Sequence, residues 1–194
     1  MCIRDRVNNP LTIAEEYAMI DNISGGRLIS GFVRGIGVEY HATGVNPAFS
    51  LERFHEAHDL IIEAWTKPGP FPFEGDHYHF EYVNTWPRPF QQPHPPVWIP
   101  SQGSEETIRW ASEPTRKYVY LNTYSPFEAV STFFQMYRDI AEKEWNYEAS
   151  GEQLGWAVPI YVGETDEIAH NEAKPHIEAF YNKFLRMTLS LIHI

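Results

Sequence analysis

The chain has 194 residues, 43% of them hydrophobic and 15% aromatic, enough for one domain with a substantial core. Its 15 lysines and arginines stand against 26 aspartates and glutamates, a formal net charge of -11, which argues against nucleic acid or an anionic membrane and favours a small-molecule or protein partner. No apolar run approaches the roughly 20 residues of a bilayer span, no signal-peptide core opens the chain, and Cys2 is the single cysteine, so a cytoplasmic protein is expected.

The two ends read differently from the rest. "MCIRDR" and "LSLIHI" back-translate into reverse complements of one transposon end used in sequencing-library preparation, so residues 1-6 and 189-194 are expected to be adapter-derived. Residues 7-188 then form a single incomplete domain, and Cys2, Arg4 and His193 carry no functional weight.

Along the interior, Asn9 precedes Pro10 and a helical spacing of Leu11, Ala14, Tyr17 and Ala18, which predicts a helix capped by Asn9 and stopped near Ile23 by Gly25 and Gly26. Arg27 to Val33 reads as a strand buried on both faces, entering a turn where Gly31, Gly35 and Gly37 surround Arg34. A helix from Ser50 to about Trp65 carries the apolar stripe Leu51, Phe54, Ile61, Ile62 and Trp65. Pro68 to Pro96 breaks the rhythm with prolines, glycines and aromatics, and the alternating "FEGDHYHFEYV" predicts a short hairpin within an insertion. "PVWIP", "SEETIRWAS" and "KYVYLN" read as strand, helix and strand. Ser125 and Glu128 pose a capping box for a helix striped by Phe127, Val130, Phe134, Tyr137 and Trp145. "WAVPIYVG" is the fourth strand, and a last helix from about Asp166 to Arg186 should kink or restart at Pro175.

Strand then helix, repeated, predicts an α/β parallel sheet with helices outside it. Either an open doubly wound sheet or part of an eight-stranded barrel satisfies that pattern, and a barrel of about 250 residues cut at both ends suits this length and the orphan first helix.

In a barrel the site gathers at the carboxyl ends of the strands. There Gly103, Ser104 and Thr107 open a helix whose free amides and two hydroxyls suit a phosphate, with Arg34 on the neighbouring strand end supplying charge. The plainer alternative is that Ser104 only caps its helix and Arg34 only pairs with an acid. Glu105 and Glu106 would repel a phosphate unless they point outward. Gly35 and Gly37 begin a dinucleotide fingerprint, but Tyr40 stands at its third glycine position. His55 with His58, and His77 with His79, share faces without a third ligand, so packing or solvated histidines are expected and a zinc hydrolase is not. His41, in a loop at the active-site face, and Tyr124 are candidates for a substrate pocket, with Trp98, Tyr120 and Tyr161 as further aromatics. Glu39 is the one acid beside the arginine loop and suits capping or a salt bridge as well as catalysis.

The order "NPLTIAEEYAMIDNISGGRLISGFVRGIG", "ERFHEAHDLIIEAWT", "FEGDHYHF", "QQPHPPVWIPSQGSEETIRWAS" resembles the bacterial luciferase-like flavin monooxygenases across essentially all of Val7 to Thr188. The resemblance implies a partial TIM (β/α)8 barrel holding parallel strands 4 to 7 with outer helices and an aromatic, proline-rich insertion. It implies FMN as cofactor, its phosphate held by Arg34, Ser104 and Thr107, with Gly35 and Gly103 letting the backbone pass close to it. It further implies a flavin reductase as partner, oxygenation of a small organic substrate, and a homodimer. Some members instead use a deazaflavin for hydride transfer. The histidine that acts near the flavin in luciferase relatives belongs to strands missing here, so no catalytic residue is assigned. A chain this incomplete is also expected to associate or to lack activity.

Overall fold

Asn9 accepts the Leu11 N-H through its side chain at 2.9 Å, and Pro10 fills the first turn of helix α1 (Pro10–Ser24), where no N-H is needed. Gly25 ends α1 in the left-handed region at φ +65. These features belong to a computed structural model that describes residues 2–3, 9–35, 39–40 and 46–185. The chain divides into two units, Met1–Arg34 with Phe49–Ala157, and Gly35–Ala48 with Val158–Ile194.

In the first unit, β1 (Cys2–Ile3) and β2 (Ser30–Phe32) precede helix α2 (Ser50–Thr66). Strand β2 is shorter than the Arg27–Val33 run expected. The Leu28 carbonyl accepts from the Gln91 side chain at 2.9 Å and Ile29 is exposed, so this stretch ties to the insertion before the ladder begins. The insertion holds the expected antiparallel hairpin, β3 (Phe71–Glu74) and β4 (His79–Val83). Glu56 of α2 clamps its turn, its carboxylate accepting the Asp76, His77 and Tyr78 N-H groups at 3.0, 3.0 and 2.6 Å. Then come β5 (Val97–Ser101), α3 (Glu105–Ser112), β6 (Val119–Thr123), α4 (Phe127–Lys143) and β7 (Leu154–Ala157).

The main sheet runs β1-β2-β5-β6-β7 and every pairing is parallel. No strand of this sheet is placed out of sequence, whereas a doubly wound sheet reverses its order at a switch point. The sheet is therefore a barrel arc with helices outside it. Alternation fixes its two faces. Phe32, Ile99 and Tyr120 are buried toward the helices, with Phe32 edge-on to Trp65 of α2 at 6.2 Å and Tyr120 facing Phe134 of α4 at 6.4 Å. Gly31, Trp98 and Leu121 alternate with them and are half-buried on the other face.

The core forms between α1, α2 and the sheet. Trp65 lies within 6.3 Å of Tyr17, and its indole donates to the Ala14 carbonyl at 2.9 Å. Asp21, fully buried, accepts from the Gln91 backbone N-H at 2.8 Å and side-chain amide at 2.7 Å, locking the end of α1 to the insertion.

Three expectations are corrected. The Ser125–Glu128 capping box does not form, because Pro126 takes the cap position with an extended ψ and its carbonyl accepts the Ala129 and Val130 N-H groups. The fourth strand lies at Leu154–Ala157, two residues upstream of the run "WAVPIYVG", since Pro159 has no N-H to continue a ladder. In the second unit, helix α5 (Asp166–Ala179) runs through Pro175 and passes into a π-helical turn, Phe180–Leu185. No residue of α5 is buried, so the carbonyl that Pro175 leaves without its helical donor is open to solvent. No helix among the described residues is long and apolar enough to cross a membrane.

Candidate functional site

Arg34 stands exposed two residues beyond β2. The register sets Ser30 opposite Val97 and Gly31 opposite Trp98, so its continuation puts Arg34 level with Ser101, where the chain leaves β5 for α3. The candidate cation and the candidate phosphate loop thus share the carboxyl edge of adjacent strands. Within that loop Ser104 caps α3, its hydroxyl accepting the Thr107 N-H at 3.4 Å, as the plainer reading predicts.

The loop's amides do not all converge outward. The Ser104 N-H donates to the Ser101 hydroxyl at 3.3 Å. Ser104, Glu105 and Glu106 are exposed and Thr107 is half-buried, and the first-turn amides of Glu105 and Glu106 have no intrahelical acceptor. Glu105 turns along the helix to Arg109 at 2.7 Å, removing one of the two charges that would oppose an anion. This donor set fits a flavin phosphate. At Gly103, φ +103, the open side is filled by Phe133 of α4, whose ring a Cβ would meet at 2.2 Å, so packing alone already favours a glycine here.

Tyr124 follows β6 directly, half exposed, in the left-handed region at φ +59, with its N-H donating to the Ala157 carbonyl at 3.3 Å. A bulky residue held there stores strain, which clusters at ligand sites. In the second unit Gly35 has φ +87, its carbonyl accepts the Tyr40 hydroxyl at 3.1 Å, and a Cβ would stand 2.9 Å from the Glu39 carboxylate. His41 lies outside the described residues. The Tyr161 hydroxyl bonds Glu172 at 2.6 Å and its ring is half exposed, whereas Tyr120 is fully buried and is not an open pocket aromatic.

His55 and His58 pack against their neighbours. His58 is 3% exposed, its Nδ1 paired with Asp59 at 2.8 Å and its Nε2 with the Tyr118 hydroxyl at 2.9 Å. His55 stacks on Trp110 of α3 at 4.8 Å. Burial first, and then the Arg116 charge, pushes His55 down to about 4, with Arg34 a smaller contributor. Burial lowers His58 as well and pushes the Tyr118 hydroxyl up to about 12. His77 and His79 face different carboxylates, Glu52 at 3.6 Å and Glu74 at 3.2 Å.

Ser101, whose hydroxyl holds the Ser104 N-H, and the buried Asn122 stand outside the expected set, and Tyr120, one of the further aromatics, is fully buried. A signal existed: Asn122 falls in phase with Tyr120 on the buried face of β6, where a polar side chain needs a reason.

A family model described as luciferase-like monooxygenase matches residues 5–190. An uncharacterized protein of Sinorhizobium fredii is 31% identical over 179 residues, 92% of this chain and 51% of that one. The oxygenase component of flavin-dependent trigonelline monooxygenase from Acinetobacter baylyi is 34% identical over 94 residues, 47% of this chain and 26% of that one. The chain thus spans about half or less of the length of these curated relatives. Among solved structures, the monooxygenase RslO1 of Streptomyces bottropensis superposes with a TM-score of 0.82 at 25% identity, covering 96% of this chain and 56% of that one. The oxygenating constituent of 3,6-diketocamphane monooxygenase from Pseudomonas putida, in complex with FMN, gives 0.77 at 16% identity over 96% of this chain and 55% of that one. The coenzyme F420-dependent tetrahydromethanopterin reductase of Methanopyrus kandleri gives 0.69 at 20% identity over 90% and 52%. Strand order, helix placement and the match along nearly the whole sequence agree, and the chain belongs to the luciferase-like monooxygenase family.

Proposed function

We propose that this chain carries the flavin-phosphate site of a monooxygenase that uses reduced FMN and oxygen to oxygenate a small organic substrate, with a separate flavin reductase as partner. What supports this is the strand register, whose continuation sets Arg34 and the Ser104-capped start of α3 at the carboxyl ends of adjacent parallel strands. Bound FMN would supply the oxygen chemistry. The chain's own share is to bind and orient. Arg34 offers a fork of donors to phosphate oxygens, while the Ser104 and Thr107 hydroxyls and the first-turn amides complete the shell. Gly35 lends its left-handed turn beside Arg34, and Gly103 lets the loop close over Phe133. Tyr124 presents its ring at the end of β6 toward substrate, and His41 belongs to the same proposal. The reductase partner follows from a relative named as an oxygenase component, and a homodimer from the family resemblance.

Flavin titration tests the site. Arg34→Ala should weaken FMN by about 10- to 100-fold, the scale of a charge-assisted contact, and leave riboflavin unchanged because it has no phosphate. Equal loss for both flavins would overturn the assignment. A second reading, hydride transfer with a deazaflavin, is favoured by the F420-dependent structural neighbour; turnover of an organic substrate with F420 and without oxygen would select it.

A further inference from the structure

Two contacts hold the loop that leads from β5 into α3, one from within it and one from α4. Inside the loop the Ser101 hydroxyl accepts the Ser104 N-H at 3.3 Å, which ties the residue before the helix back to the strand end. From α4 the tip of the Phe133 ring stands against Gly103. A Cβ on that glycine would lie 2.2 Å from the ring Cζ and 2.4 and 2.6 Å from the two Cε atoms, so the ring meets loop backbone with no side chain between them. Phe133 is half-buried and packs on the core. One turn further along α4, Tyr137 is fully buried and its hydroxyl donates to the Tyr118 carbonyl at 2.9 Å, which pins the helix to the chain entering β6. The ring that meets Gly103 is therefore carried by a fixed element. Packing of α3 on α4 does not by itself call for a residue at φ +103, and a glycine there raises the conformational entropy lost on folding. What the pairing of Gly103 with Phe133 achieves is a loop whose path is set by α4.

We propose that Phe133 and Ser101 are positioning residues that brace the 101–104 loop, so that the Ser104 hydroxyl and the first amides of α3 hold their phosphate-binding arrangement before a phosphate arrives. This rests on the flavin-phosphate reading above. The Ser101 hydroxyl takes the Ser104 N-H out of the set of donors left for a ligand. The Phe133 ring blocks movement of Gly103 toward α4, and a loop already held in place loses less freedom on binding. Phe133 acts through the Gly103 backbone and Ser101 through the Ser104 amide.

Phe133→Leu deletes the Cζ and Cε atoms that meet Gly103 and keeps an apolar side chain on α4; Ser101→Ala removes the bond to Ser104 and leaves α4 untouched. Two measurements read the result. Amide hydrogen exchange in the unliganded protein should show the Ser104 amide exchanging about fivefold faster in each variant, the scale of one lost hydrogen bond, with α2 unchanged. FMN affinity should fall by about threefold to tenfold with riboflavin unchanged, since only the phosphate depends on the loop. A residue that merely supported the fold would weaken both flavins together. Ser101→Ala keeps the test open if Phe133→Leu fails to fold. Unchanged Ser104 exchange or unchanged FMN affinity in the folded variants overturns the proposal. So does an equal loss of both flavins while Arg34→Ala still separates them. A wild-type protein that holds FMN no better than riboflavin removes the phosphate reading itself and this proposal with it.

Discussion

The α2–α3 contact and the carboxyl edge of the sheet lie in one unit and are built by opposite rules. Between α2 and α3, His58, Trp110 and Tyr118 are buried against one another, and both His58 nitrogens are paired. Along the carboxyl edge, Arg34 and Ser104 are exposed, Gly103 and Tyr124 sit in left-handed backbone, and the first-turn amides of α3 are left without intrahelical acceptors. One region spends its polar groups on itself and the other holds them outward. Stability and ligand recognition should therefore separate under mutation.

The largest effect should come from breaking the stable side. Trp65→Ala deletes a 2%-exposed indole and its bond to Ala14, and should cost about 3–5 kcal/mol in a denaturant titration. A loss under 1 kcal/mol would show that α1 and α2 do not form a fixed core. Arg34→Ala should do the reverse, costing about 2 kcal/mol of FMN binding with the melting temperature held. A drop in melting temperature matching the loss of affinity would merge the two regions.

Acid sharpens the contrast. His55 and His58 are both lowered by burial, so the folded state refuses protons that the unfolded chain accepts from about pH 6.5 downward. Stability is full above that pH and is lost as pH falls, for His55 toward about 4, with about 1.4 kcal/mol per pH unit as the ceiling for one histidine and less for the partly solvated His55. His55→Gln should flatten this slope between pH 6.5 and 4, measured by urea unfolding at fixed pH values, and an unchanged slope would place the acid sensitivity elsewhere. The smallest effect belongs to Tyr124→Gly. Relieving a left-handed tyrosine should raise stability by about 0.5–1 kcal/mol while weakening substrate turnover. A destabilised variant would mean that the ring supports the fold rather than a ligand.

Much of this architecture is visible in the one-dimensional pattern, because its causes are local. Asn9, Pro10 and Gly25 bracket α1 through backbone demands that act within four residues. Alternation in "FEGDHYHFEYV" marks the hairpin, and the stripe of α2 marks the face that meets Phe32 and Tyr17. Local reading failed where a neighbour outbid it. Pro126 displaced Ser125 from the cap, Pro159 moved the fourth strand upstream, and Gln91 captured the Leu28 carbonyl across 63 residues.

The candidate site divides along the same line. The residue types of Arg34, Ser104 and Thr107, and their places after strands and before a helix, follow from sequence because helix termini and strand ends carry fixed donor patterns. Their shared edge, the inward turn of the Ser104 amide to Ser101, and the Phe133 ring against Gly103 depend on strand order and on how α4 packs on the sheet. Those are long-range contacts, and only the tertiary structure decided them. A chain's local energetics constrain each segment's shape, while the partner that satisfies a buried hydroxyl is set by packing between segments far apart in sequence.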